Sequence, residues 1–272
     1  MTAVRTAMEV EALVPTFLMA WAVAATVMFV MWVRQLRTRN ATSVDVAWAA
    51  NLGLLAILAA IFLNGFGPRR ALMASMVALA SFRLAAHLAS DRLRHSGEDG
   101  RYAAIRAEKG DRAPIWFFFF YQAQGLLDAV LAIPFILVAR DSHGAWRMLD
   151  WAAVAVWSVA VIGEALSDNQ LARWKRDPRN KGRTCRAGLW AYSRHPNYFF
   201  EWLTWIAYGL LATSTPMGWL GWVPAALMLF FILKVTGIPP TEAQALKSRP
   251  DYARYQTEVS AFFPWFPAKA KT

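Results

Sequence analysis

The sequence predicts an all-α integral membrane protein with seven transmembrane helices, its N-terminus outside and its C-terminus in the cytoplasm. Two observations lead to this prediction. Of the 272 residues, 57% are apolar and only 17% are charged, a balance too apolar for a soluble domain of this length. The Lys and Arg residues lie almost entirely between the apolar stretches. Membrane topology therefore explains the formal charge of +11 better than binding to nucleic acid does.

Each predicted span is an apolar stretch of a length that can cross a hydrocarbon core of about 30 Å as a helix. The spans are 13–33, 43–63, 71–89, 115–138, 149–166, 196–214 and 218–236, and a polar tail follows at 237–272. The fourth begins with Trp116 and four Phe residues, which is typical of an interfacial aromatic belt, and Pro134 is expected to kink it.

The positive residues predict the orientation. Of the 29 Lys and Arg residues, 22 fall in the loops 34–42, 90–114 and 167–194 and in the tail, which the seven spans place on one side. Cytoplasmic loops are rich in Lys and Arg, so this side is predicted to be cytoplasmic. Without an internal repeat, residues 1–272 are expected to form a single membrane domain.

One polar stretch, from Arg194 to Glu201, stands where a basic loop meets the sixth span. Pro196 suits the first turn of a helix, because its missing N–H would have no partner there in any case. A helix that begins at Pro196 places Asn197 and Glu201 on one face, with His195 at its positive end. This polar stripe is predicted to face a helix bundle or a cofactor.

The preceding loop, 167–194, carries eight Lys and Arg residues. Such a loop is often just a positive-inside loop that touches anionic lipid headgroups. The residues in and near the loop favour another interpretation, a binding site for a phosphorylated dinucleotide. The pyrophosphate and 2′-phosphate of such a ligand need several cations, and its ribose or carboxamide needs acceptors such as Asp168, Asn197 or Glu201. No G-x-G-x-x-G or Walker pattern is present, so a soluble nucleotide-binding fold is not indicated.

Several motifs together resemble one family. They are Ser167-Asp168-x-x-Leu171, the run Gly188-Leu-Trp-x-Tyr192-Ser-Arg-His-Pro-Asn-Tyr198-x-x-Glu201-Trp202, and the ending Gly237-Ile-Pro, Glu242, Pro250-x-Tyr252-x-x-Tyr255 and Phe262-Phe-Pro-Trp265. Weaker matches are Ser43-Val-Asp45-x-x-Trp48, Arg83-Leu-x-x-His87 with Arg92, and Gln124-Gly125. This pattern resembles the steroid 5α-reductase family, specifically its bacterial DUF1295-type membrane proteins.

The resemblance implies a monomeric membrane reductase, placed in a bacterial inner membrane with its cofactor site facing the cytoplasm. NADPH would bind to residues 149–272, and an apolar conjugated ketone from the bilayer would bind to residues 13–138. Carried over by position, the cofactor contacts are Asp168, Arg176, Arg183, Tyr192, Asn197 and Glu201, with His195 and Tyr198 close by. Hydride would go to the β-carbon of the enone while an acid hydrogen-bonds its carbonyl.

The acid is the part that the resemblance does not supply. Steroid-reducing members use a Gln-Glu pair and a Tyr on the early helices, but around Ala80, where the Tyr would fall, the chain reads Ala78-Leu-Ala-Ser-Phe82. The polar groups available for the role are Asp45, His87, Tyr121 and Gln124, of which Asp45, Tyr121 and Gln124 are the predicted catalytic set. Each also has a structural explanation: Asp45 as a helix cap or a partner of Arg83, His87 as a hydrogen-bonded interior histidine, Tyr121 as part of the aromatic belt, and Gln124 as an interhelical hydrogen-bonding group.

Two other functions compete with the reductase. Membrane methyltransferases that use S-adenosylmethionine share an Arg-His-Pro-x-Tyr…Glu arrangement, although a positively charged cofactor does not need the cations of 173–186. A lipid-binding protein that keeps the fold without the acid is the third class. Four His and one Cys give no metal-ligand spacing, so no metal is expected. Cys185 is predicted to be reduced, with a pKa lowered by the surrounding cations.

Overall fold

In a computed structural model of the protein, residues 2–92 and 97–268 are described, with side chains for 13–90 and 97–268. The described chain is helical and contains no strand. Its α-helices are α1 Thr2–Thr38, α2 Val44–Phe62, α3 Gly67–Arg92, α4 Gly100–Lys109, α5 Ala113–Leu131, α6 Ile133–Arg140, α7 Met148–Arg176, α8 Pro196–Thr213, α9 Val223–Phe230, α10 Ile238–Ser248 and α11 Tyr252–Glu258.

Six segments of the described chain are long and apolar enough to cross a membrane. They are Leu13–Thr38, Val44–Phe62, Gly67–Ser90, Gly100–Arg140, Met148–Arg176 and Gly218–Ser248. An integral membrane protein is therefore supported, but the predicted count of seven spans and the orientation are not confirmed. The predicted sixth span forms α8, whose first turns carry Asn197 and Glu201 and lower its hydropathy.

Three stretches predicted as loop or tail are partly helical. The helix α7 continues ten residues past the predicted end at 166, because no Pro or Gly interrupts it before Pro178. The loop 90–114 contains α4, capped by the Asp99 carboxylate, which accepts a hydrogen bond from the Arg101 N–H. The polar tail contains α10 and α11. The charged residues in these stretches therefore indicate an exposed surface, but they do not indicate that the stretches lack helices.

The predicted kink at Pro134 is confirmed. The fourth predicted span divides into α5 and α6 at Ala132, and Pro134 lies in the first turn of α6. A proline is tolerated there because the first-turn N–H groups have no carbonyl partner within the helix.

The chain divides into two compact units, the first of which comprises residues 1–147 and 211–221. Within it, α2 packs along α3 and α1 packs along α5. A Cβ at Gly125 would lie 3.2 Å from the backbone nitrogen of Ala25, so the lack of a side chain allows α5 to approach α1 closely. Buried Met28, Phe117 and Tyr121 form part of the core between these helices.

A buried ion pair fastens one end of the first unit. Arg69, which is fully buried, donates from Nη1 to Asp141 Oδ2 at 2.5 Å and from Nη2 to the carbonyl of Leu211 at 2.7 Å. Arg147 reaches the same Asp141 oxygen at 2.8 Å and also donates to the carbonyl of Ser214. The carboxylate of Asp141 therefore compensates a charge that has no access to water.

The second unit comprises residues 148–210 and 222–272. It contains α7, most of α8, and α9 to α11. The lack of a side chain at Gly163 on α7 makes room for Phe200 on α8, since a Cβ at Gly163 would lie 2.4 Å from the Phe200 ring. The helix α9 runs into a single π-helical turn at Phe231–Val235, whose Ile232 packs with Phe262 of the last segment.

Candidate functional site

A cavity of about 280 Å³ lies in the second unit, at the end of α7 and along the loop that follows. Five cationic side chains line it: Lys175, Arg176, Lys181, Arg183 and Arg249. Within the described part of the chain none of the five makes an ion pair, and four of them, Lys175, Arg176, Lys181 and Arg183, are exposed at the cavity. An anionic ligand would supply the missing countercharge.

The acidic and polar groups at the cavity are also compatible with an anionic ligand. Asp177, the acid among the lining residues, is engaged by Arg179, whose Nη2 donates to its Oδ2 at 2.7 Å. These side-chain bonds hold the pKa of Asp177 below its usual value. Trp174 also lines the cavity, and its buried indole N–H has no partner among the described residues. The cavity thus offers cations that its one acidic residue does not neutralise, and beside them a buried indole N–H without a partner.

Local sequence explains how the loop is shaped around the cavity. The helix α7 delivers Lys175 and Arg176, and the chain then turns through Pro178–Asn180, where the Asn180 amide donates to the carbonyl of Trp174 at 3.0 Å. Gly182 has a φ of +74°, a conformation that glycine adopts at no steric cost. The cavity wall is therefore fixed by a compact turn and not by an open loop.

Arg249 reaches the cavity because the loop is tied to the start of α11. The Asp251 carboxylate accepts from the Thr184 backbone N–H at 3.0 Å and from its hydroxyl at 2.7 Å. Farther along α11, Glu258 accepts from Arg186 and, at 2.6 Å, from Arg254. The two carboxylates attach α11 to the loop that carries the basic residues.

Acid is expected to release this attachment. Burial raises the pKa of Asp251, but the hydrogen bonds from Thr184 outweigh burial and leave this pKa below its ordinary value. The hydrogen bonds from Arg186 and Arg254 lower the pKa of Glu258. A carboxylate whose pKa is lower in the folded state than in the unfolded state stabilises the fold at pH values above the unfolded pKa of about 4. This stabilisation is lost as the pH falls from there through the folded-state pKa. Limited proteolysis in detergent should therefore cut near α11 faster at pH 3 than at pH 7, and Asp251→Asn should bring the faster cleavage to pH 7. Equal rates at both pH values would contradict this.

The second feature of the unit is a cluster around Glu242 on α10. Its Oε1 accepts from Arg194 Nε at 2.6 Å, from the Tyr252 hydroxyl at 3.3 Å, and lies 3.2 Å from His195 Nε2; its Oε2 accepts from the Gln256 amide at 2.6 Å. Arg194 and His195 precede α8, whereas Tyr252 and Gln256 belong to α11. A single carboxylate thus joins three parts of the chain.

Backbone bonds extend this contact. The Arg194 N–H donates to the carbonyl of Ser260 at 2.8 Å, and the Ser193 hydroxyl donates to the carbonyl of Phe262 at 2.8 Å. The buried hydroxyl of Tyr255 donates to the carbonyl of Trp190 at 2.5 Å. The segment after α11 is therefore hydrogen-bonded to the stretch that leads into α8.

The predicted helix start at Pro196 is confirmed, and α8 presents the predicted residues. The ring of Tyr198 stacks on that of His195, with an interplanar angle of 4° and centroids 5.2 Å apart, and its hydroxyl lies 3.1 Å from Thr241 Oγ1. Asn197 and Glu201 are half-buried. The buried Oδ1 of Asn197 has no partner in the described chain, so it is free to accept from a ligand.

The remaining predicted cofactor residues are distributed over the same unit. Arg176 and Arg183 line the basic cavity. Asp168 is half-buried on α7, two turns before Arg176. Tyr192 is exposed, its carbonyl accepts from the Trp265 N–H, and its ring packs edge-on against Phe266.

The predicted catalytic residues lie in the first unit. Asp45 accepts from the Tyr102 hydroxyl at 2.6 Å and from Arg101 at 2.9 Å, which engages both of its oxygens. Tyr121 is buried, with its hydroxyl 3.4 Å from the carbonyl of Ala41, and Gln124 is half-buried on α5. The contacts of Asp45 suit a carboxylate that holds α4 to α2; its use as an acid stays a prediction.

The prediction for Cys185 is wrong in its direction. The thiol is buried, and burial raises its pKa more than the charge of Arg249 lowers it. The neighbouring cations were evident from the sequence, whereas the burial follows from packing that the sequence does not reveal.

Sequence reasoning did not assign a site role to Trp174, Lys181, Arg249 or Glu242. Glu242 stood in a quoted motif, and its position two residues after Pro240 was a signal that could have been used. Arg249 gave no such signal, since only the bond between Asp251 and Thr184 explains how it reaches a cavity formed by a distant loop.

Over its described residues the protein is helical, and several of its helices are long and apolar enough to cross a membrane. The family model described as "Protein of unknown function (DUF1295)" matches residues 31–259. The chain therefore belongs to the DUF1295 family, a steroid 5α-reductase-like family. The chain is also similar to an uncharacterized protein of Schizosaccharomyces pombe, 26% identical over 269 residues that cover 86% of this chain and 76% of the relative. No solved structure matches significantly.

Proposed function

We propose that the protein is an NADPH-dependent reductase of a C=C bond in an apolar conjugated ketone. The observation that carries the proposal is the cavity with five unpaired cations in the second unit. A dinucleotide with a 2′-phosphate brings a pyrophosphate and a second phosphate group, and both need Arg or Lys partners. Membership of a steroid 5α-reductase-like family supports the same reaction class.

The residues present fit a phosphorylated nucleotide. The volume of about 280 Å³ is at the lower end for ligand sites, so the cavity accommodates the phosphorylated ribose and not the whole dinucleotide. Arg176, Arg183 and Arg249 would neutralise the phosphate, and the Trp174 N–H is an additional donor. The free Oδ1 of Asn197 would accept from a carboxamide or a ribose hydroxyl.

The bound cofactor would supply a hydride to the β-carbon of the enone. The chain's task is to hold the cofactor in one orientation, because a displacement of about 1 Å can cost a factor of about 100 in rate. His195 and Tyr198 suit that task, since Glu242 and Thr241 fix their polar atoms and each ring restrains the other. Glu201, Asp168 and Tyr192 complete the proposed cofactor set.

Reduction also requires a hydrogen bond to the substrate carbonyl as negative charge develops on it. Asp45, Tyr121 and Gln124 remain the proposed residues for this role. The Asp45 carboxylate accepts hydrogen bonds from Tyr102 and Arg101 and is therefore not itself a donor. Asp45 would instead act through the Tyr102 hydroxyl, from which it accepts a hydrogen bond at 2.6 Å. Asp45→Asn should therefore lower turnover while leaving NADPH affinity unchanged, which steady-state kinetics and a binding titration would show.

A ligand titration tests the cofactor. Purified protein in detergent is titrated with NADPH, NADH and S-adenosylmethionine while thermal stability is followed, because a ligand of the native state raises stability by RT ln(1 + [L]/Kd). NADPH should stabilise most. Arg183→Ala should weaken NADPH by a factor of about 10 to 100, the value of a lost charge-assisted hydrogen bond, and should remove its advantage over NADH.

Arg173→Ala is the matched control. It removes the same charge from the same stretch of chain, but Arg173 is exposed and does not line the cavity. Its NADPH affinity should stay within a factor of about two of wild type. Stabilisation by S-adenosylmethionine in place of NADPH would favour the methyltransferase, and no stabilisation by any of the three would contradict a cofactor-dependent function.

A further inference from the structure

Two polar side chains meet in the apolar interior of the first unit. Asn51 on α2 donates from Nδ2 to Oδ2 of Asp128 on α5 at 2.6 Å. Both belong to segments that can cross a membrane, and both are buried, Asp128 fully and Asn51 with 2% of its surface exposed. Neither residue had a defined role in the reductase, so the pair needs an explanation of its own.

Each residue of the pair has one oxygen left over. Oδ1 of Asn51 and Oδ1 of Asp128 are buried and make no hydrogen bond in the described chain. Buried polar atoms are rarely unpaired, and two adjacent acceptors left without a donor are rarer. A single missing donor between the two side chains would account for both.

No described cation neutralises Asp128. The described α-helices of this unit carry Arg34, Arg37, Arg69, Arg70, Arg83, His87, Arg101, Arg106, Lys109 and Arg140, and none of them bonds the carboxyl of Asp128. The residues that follow the pair along the two helices, Leu52 and Ala129, are buried and apolar. A buried carboxylate with one amide donor and no cationic partner is unfavourable, and binding a proton removes that charge.

We propose that Asp128 is a proton-binding site that holds its proton at neutral pH, and that its Oδ1–H donates to Oδ1 of Asn51. With the observed bond from Asn51 Nδ2 to Asp128 Oδ2, the amide and the carboxylic acid then form a ring of two hydrogen bonds. One added proton satisfies both free oxygens. The inference does not depend on the proposed reductase activity, because it concerns a pair outside the cofactor set.

The geometry makes Asp128→Asn informative. A second amide can form the same two-bond ring with Asn51 and carries no charge, so this variant should keep the thermal stability of the wild type. Asp128→Ala leaves Asn51 with no partner and should unfold at a lower temperature. Asn51→Leu leaves the carboxyl without its amide.

Infrared difference spectroscopy of the full-length protein at pH 7 tests the proposal directly. The wild-type minus Asp128→Asn spectrum should contain the carbonyl stretch of a protonated carboxyl, and Asn51→Leu should move that band to higher frequency because its hydrogen bonds are lost. A carboxylate stretch in the difference spectrum would show that Asp128 is ionised and would overturn the proposal. A difference band that appears only when sodium ions are present would indicate a bound cation in place of the proton and would also overturn it. Asp128→Glu is a second variant that keeps the acid if Asp128→Asn fails to fold.

Discussion

Replacing Asp141 with Ala should be among the most destabilising single changes in the first unit. Arg69 has no access to solvent, and Asp141 Oδ2 is its charged partner at 2.5 Å. Removing one partner of a buried pair leaves the other charge uncompensated and typically costs about 3–5 kcal/mol. Thermal unfolding in detergent should show a large fall in the melting temperature, and Asp141→Asn should fall less because it keeps an acceptor for Arg69.

Two further variants separate loss of the pair from loss of a carboxylate in general. Asp177→Ala removes an acid whose partner, Arg179, is exposed, so the melting temperature should barely change. The double change Arg69→Leu with Asp141→Leu removes both charges and should recover much of the stability lost in Asp141→Ala. A melting temperature for Asp141→Ala close to that of Asp177→Ala would show that Arg69 finds another partner.

Replacing Glu242 with Ala should damage the second unit in a different way. The side chain accepts from Arg194, Tyr252 and Gln256 and contacts His195, and a buried donor left without its acceptor costs about 1–3 kcal/mol. Because these donors come from the stretch before α8 and from α11, their release should loosen both. Proteolysis between α10 and the end of the chain should accelerate, and NADPH affinity should fall together with it.

The control for Glu242 lies two residues away on the same helix. Gln244 is exposed, and Gln244→Ala shortens a side chain of similar size without touching the cluster. Its proteolysis rate should match that of the wild type. If Glu242→Ala were cut no faster than Gln244→Ala, the cluster would not be what holds the last segment in place.

The start of a helix could be predicted from the sequence where a single residue determines it. Pro196 begins α8 and Pro134 begins α6, since a ring that fixes φ and removes an N–H acts within a single turn. The extent of α7 was underestimated because the run of cations after 166 was taken as loop, although Lys and Arg are good helix formers.

The parts of the site that depend on distant residues could not be predicted. The family resemblance assigns Arg176 and Arg183 to the cofactor, and the structure places both at one cavity. Arg249 joins them only through tertiary contacts, and Asn51 meets Asp128 across 77 residues of sequence. Periodicity and composition report which face of a helix is apolar, but they do not report which helices pack together.

The position of Glu242 has a consequence for the order of folding during synthesis. His195 and Arg194 leave the ribosome 47 and 48 residues before the carboxylate that fixes them. Until α10 and α11 have emerged, the stretch before α8 lacks its hydrogen-bonding partners, and α7 and α8 have been synthesised in that state. In a nascent chain arrested before residue 242, proteases should therefore cut the stretch before α8 faster than in the full-length protein.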